Sequence, residues 1–312
     1  MDRDRVDHLV GPGISVGSQA GADRRSSRMR QQPGGGEAAA VAAPANEPPA
    51  ATPTAGTVAV AAVVISSVAA SSLLWGRGRA LVQLRPSPPP PWSGADVAAV
   101  ILLHLACQVV AAELLLPRPL PENTVIWQQL AAGILASVAT LAVAIPVLAV
   151  RSRSWPALRL TSRLPLRDAA AGLLMLVAIT PALLVIAGVL NQLVPYHHPI
   201  LDFLAADRGP RALLLTATSA VLVAPLAEEF FFRGLLQGWL ERVAPAAAIP
   251  ISAIAFGLAH VDHGLGWIPL VGFGLAAGFL SRQTGSLVAS ITLHAGFNAV
   301  GLAAAMAQLR SG

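Results

Sequence analysis

The chain has 312 residues, of which 54% are hydrophobic and only 12% charged, with a mean hydropathy of +0.63. Soluble globular chains carry about 25% charged residues, so this composition excludes an ordinary soluble domain and points to a polytopic membrane protein. The net charge of +5 comes from 21 Arg and no Lys; these residues sit in the N-terminal tail and between apolar runs, which argues for loop charge that sets topology and against a nucleic-acid partner.

Residues 1–55 are rich in Arg, Gly, Ala and Pro and show no helical period. They read as a disordered tail, not as a signal peptide, because the first apolar run begins too late. Apolar runs follow at Val58–Trp75, Ala95–Leu116, Val125–Val150, Ala169–Leu190, Ala212–Leu240, Ala246–His260, Trp267–Leu280 and Leu287–Leu309. The expected fold class is therefore all-α: a transmembrane helical bundle of about eight spans, each needing ~20 residues to cross the hydrocarbon core. The sixth and seventh runs are short by that measure. Residues 56–160 form an N-terminal group of helices and 161–312 a C-terminal unit. No internal repeat is evident. The loops carrying Arg77, Arg79 and Arg85, then Arg151 to Arg167, then Arg242, read as cytoplasmic. Strict alternation then places the basic N-terminal tail outside, against the same rule. Cys107 is the one cysteine, which leaves neither a disulfide framework nor a cysteine zinc site.

Ionisable side chains inside apolar spans are costly and mark function by default. Single polar residues there are more often packing contacts. On that ground His104 and Gln108, one turn apart, read as an interhelical hydrogen-bond pair. Glu113 lies near a span end, within reach of the interface. Tyr196-His197-His198 sits in a loop, where adjacent histidines are a weak metal signal.

Three clusters stand apart. In "APLAEEFFFRG", Glu228, Glu229 and Arg233 are the charged residues of the run Ala212–Leu240. Helix positions four apart share a face and neighbours diverge by about 100°, so Glu229 pairs with Arg233 and Glu228 has no partner in its own helix. An unpartnered carboxylate in such a setting suits general acid–base work. Phe256-Gly-Leu-Ala-His260 ends a short apolar helix, where a histidine is also favoured by the helix dipole. His294-Ala-Gly-Phe-Asn298 lies inside the last span with both polar residues on one face. Together the clusters supply a free carboxylate, two imidazoles and a carboxamide, a set suited to activating water and stabilising an oxyanion.

These three motifs, "EEFFFR", "FGLAH" and "HAGFN", in this order on separate helices, resemble the EExxxR, FxxxH and HxxxN pattern of the CPBP intramembrane proteases, the type II CAAX prenyl endopeptidase or Abi family. The stretch "SRQTGSLVAS" also resembles that family's Arg-x-x-Gly-Ser approach to the third motif. The likeness covers roughly residues 165–308. It implies that 161–312 is a protease core acting on a membrane-associated peptide or protein. Relatives trim prenylated CAAX proteins or are linked to bacteriocin maturation and self-immunity. It further implies that Glu228 activates water with His260, that His294 and Asn298 stabilise the oxyanion, that Glu229 and Arg233 form a supporting pair, and that Phe256 packs beside His260. A zinc ion held by Glu228, His260 and His294 would complete a two-histidine, one-carboxylate site. The same residues also serve a metal-free mechanism with Glu228 as plain base, and both versions stand at this level. The all-arginine composition fits a GC-rich genome and hence a bacterial plasma membrane. Two other readings keep the same residues: a proton-coupled transporter, against which the missing repeat speaks, and a non-catalytic membrane scaffold.

Overall fold

A computed structural model describes residues 65, 89–116, 126–196 and 199–311, and every element among them is helical. The expected tail at 1–55, and the run Val58–Trp75 apart from Ile65, lie outside the described residues, as do His197 and His198. The elements are α1 (Gly94–Leu115), α2 (Ile126–Ser152), α3 (Pro165–Leu193), the short α4 (Pro199–Ala206), a long run α5 (Pro210–Val243), α6 (Ala248–Leu258), α7 (Trp267–Thr284) and α8 (Val288–Ser311).

Among the described residues six helices are long and apolar enough to cross a membrane. This makes the chain a multi-pass membrane protein. The sixth apolar run corrects the expected count. It forms a helix of 11 residues, about 16 Å long at 1.5 Å per residue, against a hydrocarbon core of about 30 Å. The seventh run is longer than its apolar stretch implied, because the 3-10 turn before Trp267 extends it to Gly264–Thr284.

Local sequence explains the helix ends. Ser93 and Asp96 open α1 with a reciprocal capping box, the Ser93 backbone N–H donating to Asp96 Oδ2 at 2.9 Å. Pro165 and Pro210 stand in the first turns of α3 and α5, where no N–H is required of them. Gly285 closes α7 with φ 65°, a left-handed conformation that glycine adopts without penalty.

Among the described residues four buried clusters form, and two of them bear on the site. One joins Trp92, Val97, Leu141 and Leu148 of the N-terminal helices to Phe230 and Leu235 of α5. Trp92 adds a hydrogen bond from its indole Nε1 to the Gly234 carbonyl at 2.9 Å. The other joins Leu183 of α3 to Phe256, Phe273 and Leu293. Outward-facing side chains are apolar, among them Leu102, Val109 and Leu114 on α1, as lipid contact requires. The tightest approach in the second cluster is α3 on α8. A Cβ on Gly172 would collide with the Ala289 carbonyl oxygen and sit 3.0 Å from Thr292 Cβ. Gly172→Ala is expected to cost about 1–3 kcal/mol through overpacking, read as a lower unfolding midpoint in detergent. An unchanged midpoint would mean that the two helices do not meet there.

Candidate active site

The run α5 is not a uniform α-helix. It contains π-helical turns at Thr218–Val223 and Phe230–Gln237, on either side of the pair Glu228–Glu229. Pro225 accounts for the first. Proline has no N–H, and its ring crowds the carbonyl four residues back. In the widened turn the Ala224 N–H reaches the Ser219 carbonyl. The next carbonyl, that of Ala220, would need the N–H that Pro225 lacks. Asn298 supplies a donor in its place, its Nδ2 meeting Ala220 O at 2.7 Å. A polar residue in α8 thus repairs the helix that carries the carboxylates. Wide turns of this kind recur at functional sites.

Glu229 and Arg233 are fully buried, and Arg233 Nη1 donates to Glu229 Oε1 at 2.9 Å, as the four-residue spacing requires. The same carboxylate oxygen accepts from His294 Nδ1 at 3.0 Å, a bond that the spacing alone does not reveal. Arg233 also donates from Nη2 to the Gly274 carbonyl at 3.3 Å and lies 4.4 Å over the Phe256 ring, a cation–π contact. Glu229 is therefore a hub between α5 and α8, and Arg233 one between α5 and α7.

Glu228 diverges from this pair and is partly accessible. Its Oε2 faces His260 Nε2 at 3.7 Å and His294 Nε2 at 3.8 Å. Both distances exceed a direct hydrogen bond. The two imidazoles are held from behind. His260 Nδ1 donates to the Phe256 carbonyl at 2.8 Å, occupying an acceptor at the end of α6. His294 Nδ1 donates to Glu229. These bonds fix the tautomers, so in each neutral ring the atom turned toward Glu228 is an Nε2 that carries no hydrogen. Phe256 packs between the rings, with centroids 4.9 Å from His260 and 5.6 Å from His294. Three acceptor atoms thus face one small space. A water placed there gives its two hydrogens to two of them and turns its lone pairs outward.

The structure brings together Glu228, His260 and His294, with Phe256 between the rings and Glu229 and Arg233 behind. Asn298 has one of its two N–H bonds already committed to Ala220. Glu228 and His260 open into a cavity of about 440 Å³, lined largely by apolar side chains that include Ile101, Leu105, Phe231 and Leu236. Among the described residues, no three His, Cys, Asp or Glu side chains are grouped to hold a metal ion. The spacings of 3.7 and 3.8 Å around Glu228 are wider than the about 3.4 Å between ligands of a tetrahedral zinc at 2.0–2.1 Å.

One feature went unread in the sequence and another is arranged differently from its reading. Gln237 and Glu241 continue the four-residue register of Glu229 and Arg233, giving a buried polar ladder along α5. Gln237 Nε2 donates to Glu241 Oε1 and to the Gly278 carbonyl, each at 3.0 Å, and Arg159 Nη2 donates to Glu241 Oε2 at 2.8 Å. The spacing of four was there to be extended. The other feature is the pair His104 and Gln108. They bond each other within α1 at 2.9 Å, and the contact between helices runs from His104 Nδ1 to Thr140 Oγ1 of α2 at 3.1 Å. This corrects their reading as an interhelical pair, and both line the same cavity as Glu228.

Compared with known proteins, residues 210–300 match the family described as Type II CAAX prenyl endopeptidase Rce1-like. Neither the curated proteins nor the solved structures hold a significant match to the chain. The matched segment runs from the start of α5 into α8 and contains Glu228, Glu229, Arg233, Phe256, His260, His294 and Asn298.

Proposed function

We propose, from the premise that residues 210–300 carry the domain of the CAAX-type intramembrane proteases, that this multi-pass protein hydrolyses a peptide bond of a membrane-associated peptide or protein. The observation that carries the reading is the convergence of Glu228 Oε2 on the Nε2 atoms of His260 and His294 at the wall of an apolar cavity. Both imidazoles are oriented from behind, His260 by the Phe256 carbonyl and His294 by Glu229, so that their second nitrogens turn toward Glu228.

In the proposed reaction a water between these atoms attacks the scissile carbonyl carbon. Glu228 accepts its proton, the C–N bond breaks, and that proton passes to the leaving nitrogen. The tetrahedral oxyanion needs donors. Asn298 retains one N–H for it. His294 donates from Nε2 when that atom carries a proton taken up from bulk water through the cavity, separate from the proton that Glu228 passes to the leaving nitrogen. Glu229 accepts from Nδ1 throughout and holds the ring in place, much as the acid of a catalytic triad orients its histidine. We place the protein in the cell membrane of a bacterium, on its composition, with the Arg-rich loops on the cytoplasmic side.

This version runs without a metal. Purified, active protein is expected to contain far less than one zinc per chain by elemental analysis and to keep its activity in chelator. Stoichiometric zinc that leaves together with activity, and that His294→Ala fails to bind, would replace the glutamate-base version with a metal-dependent one.

A further inference from the structure

His104 and Gln108 lie on α1, outside the family-matched segment, yet they line the cavity that holds Glu228 and His260. The hydrogen-bond directions of this group are fixed from its buried end. Thr140 Oγ1 gives its one proton to the Ala136 carbonyl at 2.7 Å. It can therefore only accept from His104 Nδ1, at 3.1 Å. In the neutral ring His104 Nε2 is then an acceptor, and Gln108 must turn its amide nitrogen toward it, at 2.9 Å. That bond uses one of the two N–H groups of Gln108 and leaves its second N–H and its Oε1 for other partners. The His104 ring is further clamped against Phe231, centroid to centroid 4.8 Å, and Phe231 belongs to the "EEFFFR" segment itself. The relay thus begins on a buried carbonyl of α2 and ends on an exposed carboxamide of α1 at a cavity wall that is otherwise mostly apolar. A contact needed only for packing would have no reason to end there.

A carboxamide offering one donor and one acceptor matches one peptide unit, which offers one C=O and one N–H. We propose that Gln108, oriented by His104 and Thr140, hydrogen-bonds the backbone of the bound substrate and forms a positioning subsite for the chain flanking the scissile bond. The inference rests on the protease reading above. It adds a recognition element that selects for an extended, unpaired peptide backbone in the cavity and not for any one side chain.

The test uses the full-length protein in detergent and an internally quenched prenylated CAAX peptide. One or two backbone hydrogen bonds at about 0.5–1.5 kcal/mol each correspond to a KM raised about 2–160-fold in Gln108→Leu. The value of kcat stays within about twofold, the signature of lost uniform binding. His104→Ala, which frees the Gln108 side chain, moves KM in the same direction by less. An ester scan supplies the readout that a structural role would not move. Peptides with one amide at a time replaced by an ester lose affinity for the wild type at one position near the scissile bond, and Gln108→Leu shows no penalty there. Should Gln108→Leu fail to assemble, Gln108→Ser carries the same test. An unchanged KM in a variant with normal thermal stability, or an ester penalty that is identical in wild type and variant at every position, overturns the subsite and leaves the protease reading intact. A wild type that cleaves no peptide overturns both.

Discussion

Glu228→Gln is expected to lower kcat by about 10²–10⁴-fold, the range for loss of a general base, while leaving the protein folded. The substitution keeps shape and volume and removes the capacity to accept a proton from water. The small effect on folding follows from the contacts. Glu228 lies 3.7 and 3.8 Å from the two imidazoles, and its buried Oε2 has no hydrogen-bond partner. Little binding energy is therefore lost with the charge. Steady-state cleavage and thermal unfolding, measured on one preparation in detergent, check both halves. Activity near that of wild type would remove Glu228 from the mechanism. Lost activity accompanied by lost folding would give it a structural role instead.

The neighbouring carboxylate behaves in the opposite way. Arg233→Met leaves Glu229 charged and fully buried, and Glu229→Gln leaves Arg233 so. Breaking a buried pair by removing one partner costs about 3–5 kcal/mol, large beside a total stability of about 5–15 kcal/mol. The double variant is expected to lose less than the sum of the two, with a coupling of about 1–3 kcal/mol. Denaturant titration in micelles of the four proteins measures it. Each single change also reaches the candidate active site. Glu229→Gln weakens the acceptor of His294 Nδ1, and Arg233→Met removes the cation over Phe256. Activity should fall in both, even where the protein is still folded. A coupling near zero would mean that the two residues do not meet.

Adjacent glutamates in one apolar helix could be told apart from sequence because the four-residue register assigns Arg233 to Glu229. That argument needs only local helix geometry, and the bond at 2.9 Å follows it. The same arithmetic reaches Gln237 and Glu241, two further turns along. The bonds between helices were not legible. Nothing in the spacing of His294 says that its Nδ1 lands on Glu229, or that Asn298 caps the carbonyl stranded by Pro225. Both depend on the π turns of α5, which rotate the helix away from the regular 100° per residue. Arg159 was equally hidden, since it reaches Glu241 from a loop 82 positions earlier with a left-handed backbone, φ 57°. Span counting went astray at Ala246–His260 for a related reason. Hydropathy measures apolar character and not helix length, and α6, packed on one side against α7 with Ile251, Ile254 and Leu258 exposed on the other, has only 11 residues.

The most direct test of the central claim, that water is activated at Glu228 to cleave a peptide bond, is mass spectrometry of the products formed in H₂¹⁸O. Purified wild-type protein would be incubated with a prenylated CAAX peptide and with an unmodified apolar peptide. The account predicts two fragments from a single cleavage, one ¹⁸O atom on the newly formed carboxylate, and no products from Glu228→Gln under the same conditions. Intact peptide after prolonged incubation with folded wild-type protein, or products formed equally well by Glu228→Gln, would contradict it.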